Sequence, residues 1–137
     1  MHLVDERATH ATLHKPGTCM TTSNDTAPQR YLDFALALAQ RAGKTILPHF
    51  RQPIVVVDKS GGVAYDPVTE ADRRAESVIR DGISQSYPAD AVLGEEHGYA
   101  AGTSAYTWVI DPIDGTRSFI LGQMHWATLI AVRDAQR

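Results

Sequence analysis

The chain has 137 residues, of which 43% are hydrophobic and 21% charged, and its formal net charge is −3 at pH 7. This size and composition are those of a globular protein with one domain or part of one. The charge shows no basic excess typical of nucleic-acid binding, and no run of about 18 apolar residues predicts a membrane span. The single cysteine, Cys19, cannot form an internal disulfide and favours a reducing, cytoplasmic location.

Residues 1–27 predict a disordered tail, because they are rich in Thr and His and lack apolar periodicity. The apolar region of a secretory signal is missing from them, and Asp5 and Glu6 are unusual in an organelle transit peptide. Both Met1 and Met20 are compatible with the start of translation.

The first predicted helix begins near Thr26, which has the spacing of a capping box with Gln29. Its apolar residues recur at helical spacing: Tyr31, Phe34, Ala35, Leu38, Ala39, Ala42 and Ile46. Pro48 lacks a backbone N–H and is expected to end or kink this helix. Residues 54–57 form a short β-branched run that predicts a strand, and "KSGGVAYDP" predicts a loop.

A second helix is predicted from Thr69, a good N-cap residue. Glu70 and Asp72 fall in its first turn, where the helix dipole favours negative charge. Pro88 lies just beyond its expected end. Its apolar stripe consists of Ala71, Ala75, Val78, Ile79 and Ile83.

Three strands are predicted in the remaining sequence, within "AVLGEEHG", "YTWVIDP" and "HWATLIAV", with Pro112 ending the second. A short helix, "TRSFIL", separates the last two. The gap between the first two holds no helix, which favours antiparallel neighbours over a βαβ alternation. We therefore expect an α+β fold, a mostly antiparallel sheet packed with helices on one face.

The stretch "WVIDPIDGTRSFILG" combines two kinds of binding group. Asp111 and Asp114, with the carbonyl of Ile113, offer the hard oxygen ligands that Mg²⁺ prefers. Gly115 and Thr116 then begin a helix, and N–H groups at a helix N-terminus bind anions. The combination suits metal-assisted attack on a phosphate ester.

Each candidate residue also has a purely structural interpretation. D-P-x-D is a common turn, Glu95 and Glu96 have the pattern of a solvated surface pair, and Asp66 could form a turn. Asp72 is expected to support its helix rather than catalysis, and Lys59 could be a surface lysine. The occurrence of all these groups in one short chain favours the functional interpretation.

Three blocks together resemble the inositol monophosphatase family of Mg²⁺-dependent sugar-phosphate phosphatases. They are "DPVTEAD" at 66–72, "GEEHG" at 94–98 and "WVIDPIDGTRSF" at 108–119, within a resemblance that covers about residues 30–133. "GTRSFILG" followed by "HWATLIAV" looks most like the histidinol-phosphatase branch. Ser118 stands where the inositol branch usually has Asn.

The resemblance implies Mg²⁺ as the cofactor, with the carboxylates of Glu95, Asp111 and Asp114 and the carbonyl of Ile113 as ligands. The implied mechanism is in-line attack on phosphorus by a metal-bound water of lowered pKa. A second metal would stabilise the leaving alkoxide.

The resemblance also implies roles for the residues around the metal. Gly115 and Thr116 match the phosphate-binding pair, Asp66 and Thr116 match the pair that orients the attacking water, and Lys59 matches a lysine near the site. A small phosphorylated metabolite is the implied partner, with L-histidinol phosphate first and inositol phosphate or another sugar phosphate as the alternative. Full-length relatives are implied to be homodimers.

Family members are longer than this chain, and the absent half contributes a further metal-ligand aspartate, usually in a Trp-Asp motif. We therefore expect residues 28–137 to form the N-terminal lobe alone, with little activity and an uncovered apolar sheet face. Two other interpretations stay open: a non-catalytic metal- or phosphate-binding remnant, and an interaction module.

Overall fold

The computed structural model describes residues 26–53, 55–59 and 67–135. The predicted tail lies outside them except for its last two residues, and so do Asp66 and most of the predicted "KSGGVAYDP" loop. The helices are α1 (Ala27–Ile46), α2 (Glu70–Ser86) and α3 (Thr116–Ile120), with a 3₁₀ turn at Leu47–His49. The strands are β1 (Val56–Asp58), β2 (Pro67–Thr69), β3 (Ala91–Gly94), β4 (Gly98–Ala100), β5 (Tyr106–Asp114) and β6 (Ala127–Asp134).

The strands form two sheets. β1 and β2 pair antiparallel, and the larger sheet has the order β4-β3-β5-β6. Its β3–β4 and β5–β6 pairs are antiparallel, whereas β3 and β5 run parallel. The α+β architecture with mostly antiparallel pairing is confirmed.

The expectation that β3 and β5 are antiparallel neighbours is wrong, because no local pattern in the sequence predicts β4. This three-residue strand, "GYA", is exposed and turns back along the outer edge of β3. The chain then returns to the end of the sheet at which β3 begins. There the N–H groups of Thr103 and Ser104 donate to the carbonyl of Ala89 at 2.7 and 2.9 Å. One reversal through β4 and a second through this loop leave β5 parallel to β3.

β5 does not stop at Pro112 as predicted but continues to Asp114. Its register with β6 shifts between Asp111 and Asp114, so the irregularity falls where Pro112 cannot donate to the ladder. The strand therefore carries both aspartates on one irregular end.

The helix starts differ in how they are capped. Thr26 makes no side-chain capping bond, and Gln29 donates instead to Asp33 at 2.8 Å, so the predicted first capping box does not form. Thr69 does cap α2, in a capping box with Asp72. This second box fixes the point where β2 passes into α2, next to the carboxylate cluster described below.

The core lies between the two long helices and the larger sheet. α1 packs against α2 and β6, and α2 also contacts β5. The largest fully buried side chains include Trp108, Phe119, Leu38, Ile46 and Ile79. Along β6, half-buried and exposed positions alternate, which agrees with helices packed on one face of the sheet. None of the helices in the described ranges is both long and apolar enough to cross a bilayer.

Candidate functional site

The carboxyl ends of β3 and β5 bring the predicted acidic residues together. Because these strands are parallel neighbours, with Gly94 opposite Ile110, the residues that follow them emerge at the same edge of the sheet. Glu95 comes directly after β3, and its N–H donates to the carbonyl of Ile110 at 3.2 Å. Asp111 follows Ile110 at once, so two carboxylates meet at this edge.

Asp111 is the most perturbed group of the cluster. Burial raises its pKa to about 7, and the hydrogen bond and charge of Glu95 and the charge of Asp114 act in the same direction. Asp111 Oδ1 is buried and has no hydrogen-bond partner among the described residues. A cation bound beside these neighbouring carboxyl groups would stabilise their charged form and give the unpaired oxygen a partner.

The predicted metal ligands are close together but not arranged as a finished metal site. Within the described ranges, no three His, Cys, Asp or Glu side chains already converge as ligands. Asp114 is exposed, and the carbonyl of Ile113 already accepts the Thr116 hydroxyl at 3.0 Å. The predicted donors are all oxygens, which fits the ligand preference of Mg²⁺.

Lys59, just after β1, lies at the site rather than on an open surface. Its Nζ is 2.9 Å from Glu96 Oε1 and 3.3 Å from Glu95 Oε1. Burial lowers the Lys59 pKa, but the hydrogen bond and charge of Glu96 outweigh it and raise the pKa above its usual value. The ammonium group therefore stays charged and neutralises part of the acidic cluster.

Glu96 is not the solvated residue that an acidic doublet suggests. Its side chain is 2% exposed, and burial raises its pKa even though the Lys59 hydrogen bond lowers it. Glu96 Oε2 is buried without a hydrogen-bond partner in the part of the chain described. Glu96 Oε2 is thus a second buried acidic oxygen without a partner among the described residues. No functional role for Glu96 was predicted from the sequence.

Thr116 links the start of α3 to the start of α2. Its hydroxyl is 3.0 Å from the carbonyl of Ile113 and 3.4 Å from Asp72 Oδ1. Asp72 is buried, accepts the Thr69 N–H at 2.9 Å, and has a pKa raised by burial. The predicted partner of Thr116, Asp66, lies outside the described residues. Sequence reasoning missed the Asp72 contact because it joins residues 44 positions apart.

Gly115 has the backbone that the tight turn after Asp114 requires. Its φ is 91°, in the left-handed region, and a Cβ there would lie 2.6 Å from the carbonyl oxygen of His125. Glycine is therefore needed both for conformation and for close backbone approach. The turn places Gly115 and Thr116, the predicted phosphate-binding pair, beside the acidic cluster.

Comparison with known proteins agrees with this arrangement. A sequence profile described as "Inositol monophosphatase family" matches residues 27–137. The chain is 46% identical over 102 residues to a histidinol-phosphatase of Chlorobaculum parvum, covering 74% of this chain and 38% of that protein. It is 40% identical over 108 residues to the Nus factor SuhB of Pseudomonas aeruginosa, covering 77% and 40%.

Solved structures show the same similarity. An IMPase of Thermotoga maritima superposes with a TM-score of 0.69 at 32% sequence identity, covering 77% of this chain and 40% of that chain. The chain thus spans about two fifths of the length of the relatives that it matches.

Proposed function

The chain belongs to the inositol monophosphatase family. We propose that it forms the metal- and phosphate-binding part of a Mg²⁺-dependent phosphomonoesterase. The observation that carries the proposal is the meeting of Glu95 and Asp111 at the ends of two parallel strands. A buried acid with a pKa of about 7 and an unpaired oxygen is a group that gains from binding a cation.

In this proposal the carboxylates of Glu95, Asp111 and Asp114 and the carbonyl of Ile113 hold Mg²⁺. When bound, Mg²⁺ supplies a Lewis acid that lowers the pKa of water and shields the charge of the phosphate. The Ile113 carbonyl has two lone pairs, so it could bind the cation and still accept the Thr116 hydroxyl.

Four other residues complete the proposed chemistry. The Thr116 hydroxyl, together with Asp66, would orient the attacking water. The N–H groups of Gly115 and Thr116 bind phosphate oxygens. Lys59 keeps a positive charge beside the carboxylates of Glu95 and Glu96. It therefore neutralises part of their negative charge, and a bound cation would neutralise the rest.

L-Histidinol phosphate is the substrate we propose first, which places the protein in histidine biosynthesis. The support is the similarity to the C. parvum histidinol-phosphatase, together with the "GTRSFILG" stretch. The alternative is inositol phosphate or another sugar phosphate, supported by the similarity to the T. maritima IMPase. We further propose a cytoplasmic location and, for a protein of the relatives' length, a homodimer.

A second candidate function is an interaction module, which is supported by the similarity to a protein named a Nus factor. The other alternative is a non-catalytic metal- or phosphate-binding remnant. Metal binding without phosphate release at any protein length would favour this candidate.

The test measures phosphate release from histidinol phosphate and inositol phosphate, with and without Mg²⁺. It uses this chain and a chimera in which the remaining part of the C. parvum histidinol-phosphatase follows residue 135. We expect little turnover by the chain alone and Mg²⁺-dependent turnover by the chimera. Asp114→Asn should cut the chimera's turnover by orders of magnitude, since it removes a proposed ligand.

The matched control is Asp81→Asn, which makes the same change at an exposed position of α2. It should leave turnover unchanged. Thr116→Ala should keep metal binding but lower turnover, because its hydroxyl is assigned to the water. Unchanged turnover by the Asp114→Asn chimera would overturn the ligand assignment, and robust hydrolysis by the chain alone would contradict the incomplete site.

A further inference from the structure

Glu76, on α2, has a fully buried carboxylate that is surrounded by donors. The N–H of Glu96 donates to its Oε2 at 2.7 Å, and the N–H of His97 donates to its Oε1 at 3.1 Å. Arg80 Nε donates to Oε1 at 2.7 Å, and His97 Nδ1 lies 3.2 Å from the same oxygen. Both oxygens are therefore engaged by the turn that follows β3 and by an ion pair within α2.

Gly94, the last residue of β3, has no side chain, and this carboxylate occupies the space where a side chain would lie. A Cβ at Gly94 would overlap Glu76 Oε1 and lie 2.5 Å from its Cδ. It would also come within 2.9 Å of Arg80 Nη2. The side-chain space of Gly94 is thus filled by Glu76, and the two residues form one packing unit.

The backbone around Glu95 is held from two sides as a result. The Glu95 N–H is bonded to β5, through the carbonyl of Ile110, at 3.2 Å. The next two N–H groups, those of Glu96 and His97, are bonded to α2 through Glu76. Three consecutive amides are therefore fixed, and they determine where the Glu95 side chain leaves the backbone.

We propose that Glu76 is a positioning residue whose buried carboxylate fixes the turn after β3 and so presents Glu95 to the proposed metal site. The inference rests on the proposed function, because it needs Glu95 to be a ligand. A carboxylate is the appropriate group here, since it accepts on both oxygens. Glutamine of the same shape would direct an amide N–H at one of the donors, which is unfavourable in a buried place.

The test uses Glu76→Gln in the 137-residue chain. Amide hydrogen exchange followed by NMR reports the turn, and binding of Mn²⁺ alone, followed by electron paramagnetic resonance, reports the site. We expect the Glu96 or His97 amide to exchange at least about tenfold faster, because a bond to a charged acceptor is lost. The Mn²⁺ affinity should fall by about 10- to 100-fold, the loss typical for a residue that orients a ligand.

The matched control is Glu70→Gln, at the start of the same helix. Glu70 also pairs with an arginine four residues later, Arg74 at 2.7 Å, but both side chains are more than half exposed. This variant should change neither measurement. If Glu76→Gln does not fold, Gly94→Ala is the second variant, because its methyl group displaces the carboxylate without removing its charge.

The outcomes separate this inference from the proposed function. Unchanged exchange rates at both amides would show that Glu76 does not fix the turn, independently of the Mn²⁺ affinity. Faster exchange with unchanged Mn²⁺ affinity would overturn its role in positioning a ligand. A wild-type chain that binds no Mn²⁺ would instead overturn the proposed metal site, while the amide exchange would still decide whether Glu76 holds the turn.

Discussion

The acidic residues at the ends of β3 and β5 make the pH dependence of the metal-free protein predictable. The pKa of Asp111 rises from 3.8 to about 7 in the folded chain, so the folded state binds its proton more tightly than the unfolded state does. The resulting stabilisation is fully present below about pH 4 and is lost as the pH rises through about 7. Asp72 and Glu96, whose pKa values are also raised, contribute in the same direction.

The first prediction is that Asp111→Asn flattens this dependence. In a metal chelator, the wild-type melting temperature should fall between about pH 4 and pH 8, and the variant's should fall less, because its amide cannot ionise. Thermal unfolding followed by circular dichroism at a series of pH values measures it. Asp81→Asn, exposed on α2, should behave as the wild type. Equal slopes for wild type and Asp111→Asn would contradict the prediction.

Residues of the candidate site were predictable from the sequence where they belong to one short motif. Asp111 and Asp114 belong to one short motif, so spacing alone indicates them. Glu76 could not be found this way, because its partners are backbone amides 20 and 21 residues away. Its only sequence signal is a charged residue on the apolar side of α2, where Ala75 and Ile79 are also buried. An acidic residue at a buried position of a predicted helix thus indicates a carboxylate with partners elsewhere in the fold.

Among the elements, α2 was predicted best and β4 was missed. The apolar stripe of α2 and the capping residue Thr69 both have clear local causes, helical spacing and the hydroxyl of the cap. β4 has three exposed residues and is held by pairing with β3, so its formation depends on tertiary contacts that no local pattern reports. The parallel pairing of β3 with β5 follows from β4 and was missed with it.

The second prediction concerns the capping box that begins α2. Thr69→Ala removes the hydroxyl that bonds Asp72, and it should lower the free energy of unfolding by about 1–2 kcal/mol. Ser77→Ala is the control in the same helix, since Ser77 is exposed and donates only to the carbonyl of Arg73. It should change stability by less than about 0.5 kcal/mol. Urea unfolding of the three proteins measures both effects, and equal losses would argue against a special role for the cap.

At the scale of the whole molecule, the helices cover one face of the larger sheet and leave the other apolar. Among the described residues, Leu93, Val109 and Leu129 are 42%, 37% and 49% exposed, which agrees with the exposed apolar sheet face expected from the sequence. Leu93 is paired with Val109, and Val109 with Ala131, so the exposed side chains form a row across three strands. Contiguous apolar surface of this kind marks an interaction site or an association risk, whereas single exposed side chains are ordinary.

The third prediction tests this face directly. The chain should bind a hydrophobic dye or associate with rising concentration, and Leu129→Lys should reduce both, because it places a charge beside the row. Leu36→Lys is the control, since Leu36 is 56% exposed on α1, away from the sheet face. Dye fluorescence and light scattering over a concentration series measure the outcome. Because both leucines are exposed, neither change should unfold the protein, so a reduction seen only with Leu129→Lys would assign the association to the sheet face. Equal reductions with both variants would show that apolar surface in general, and not this row, is responsible.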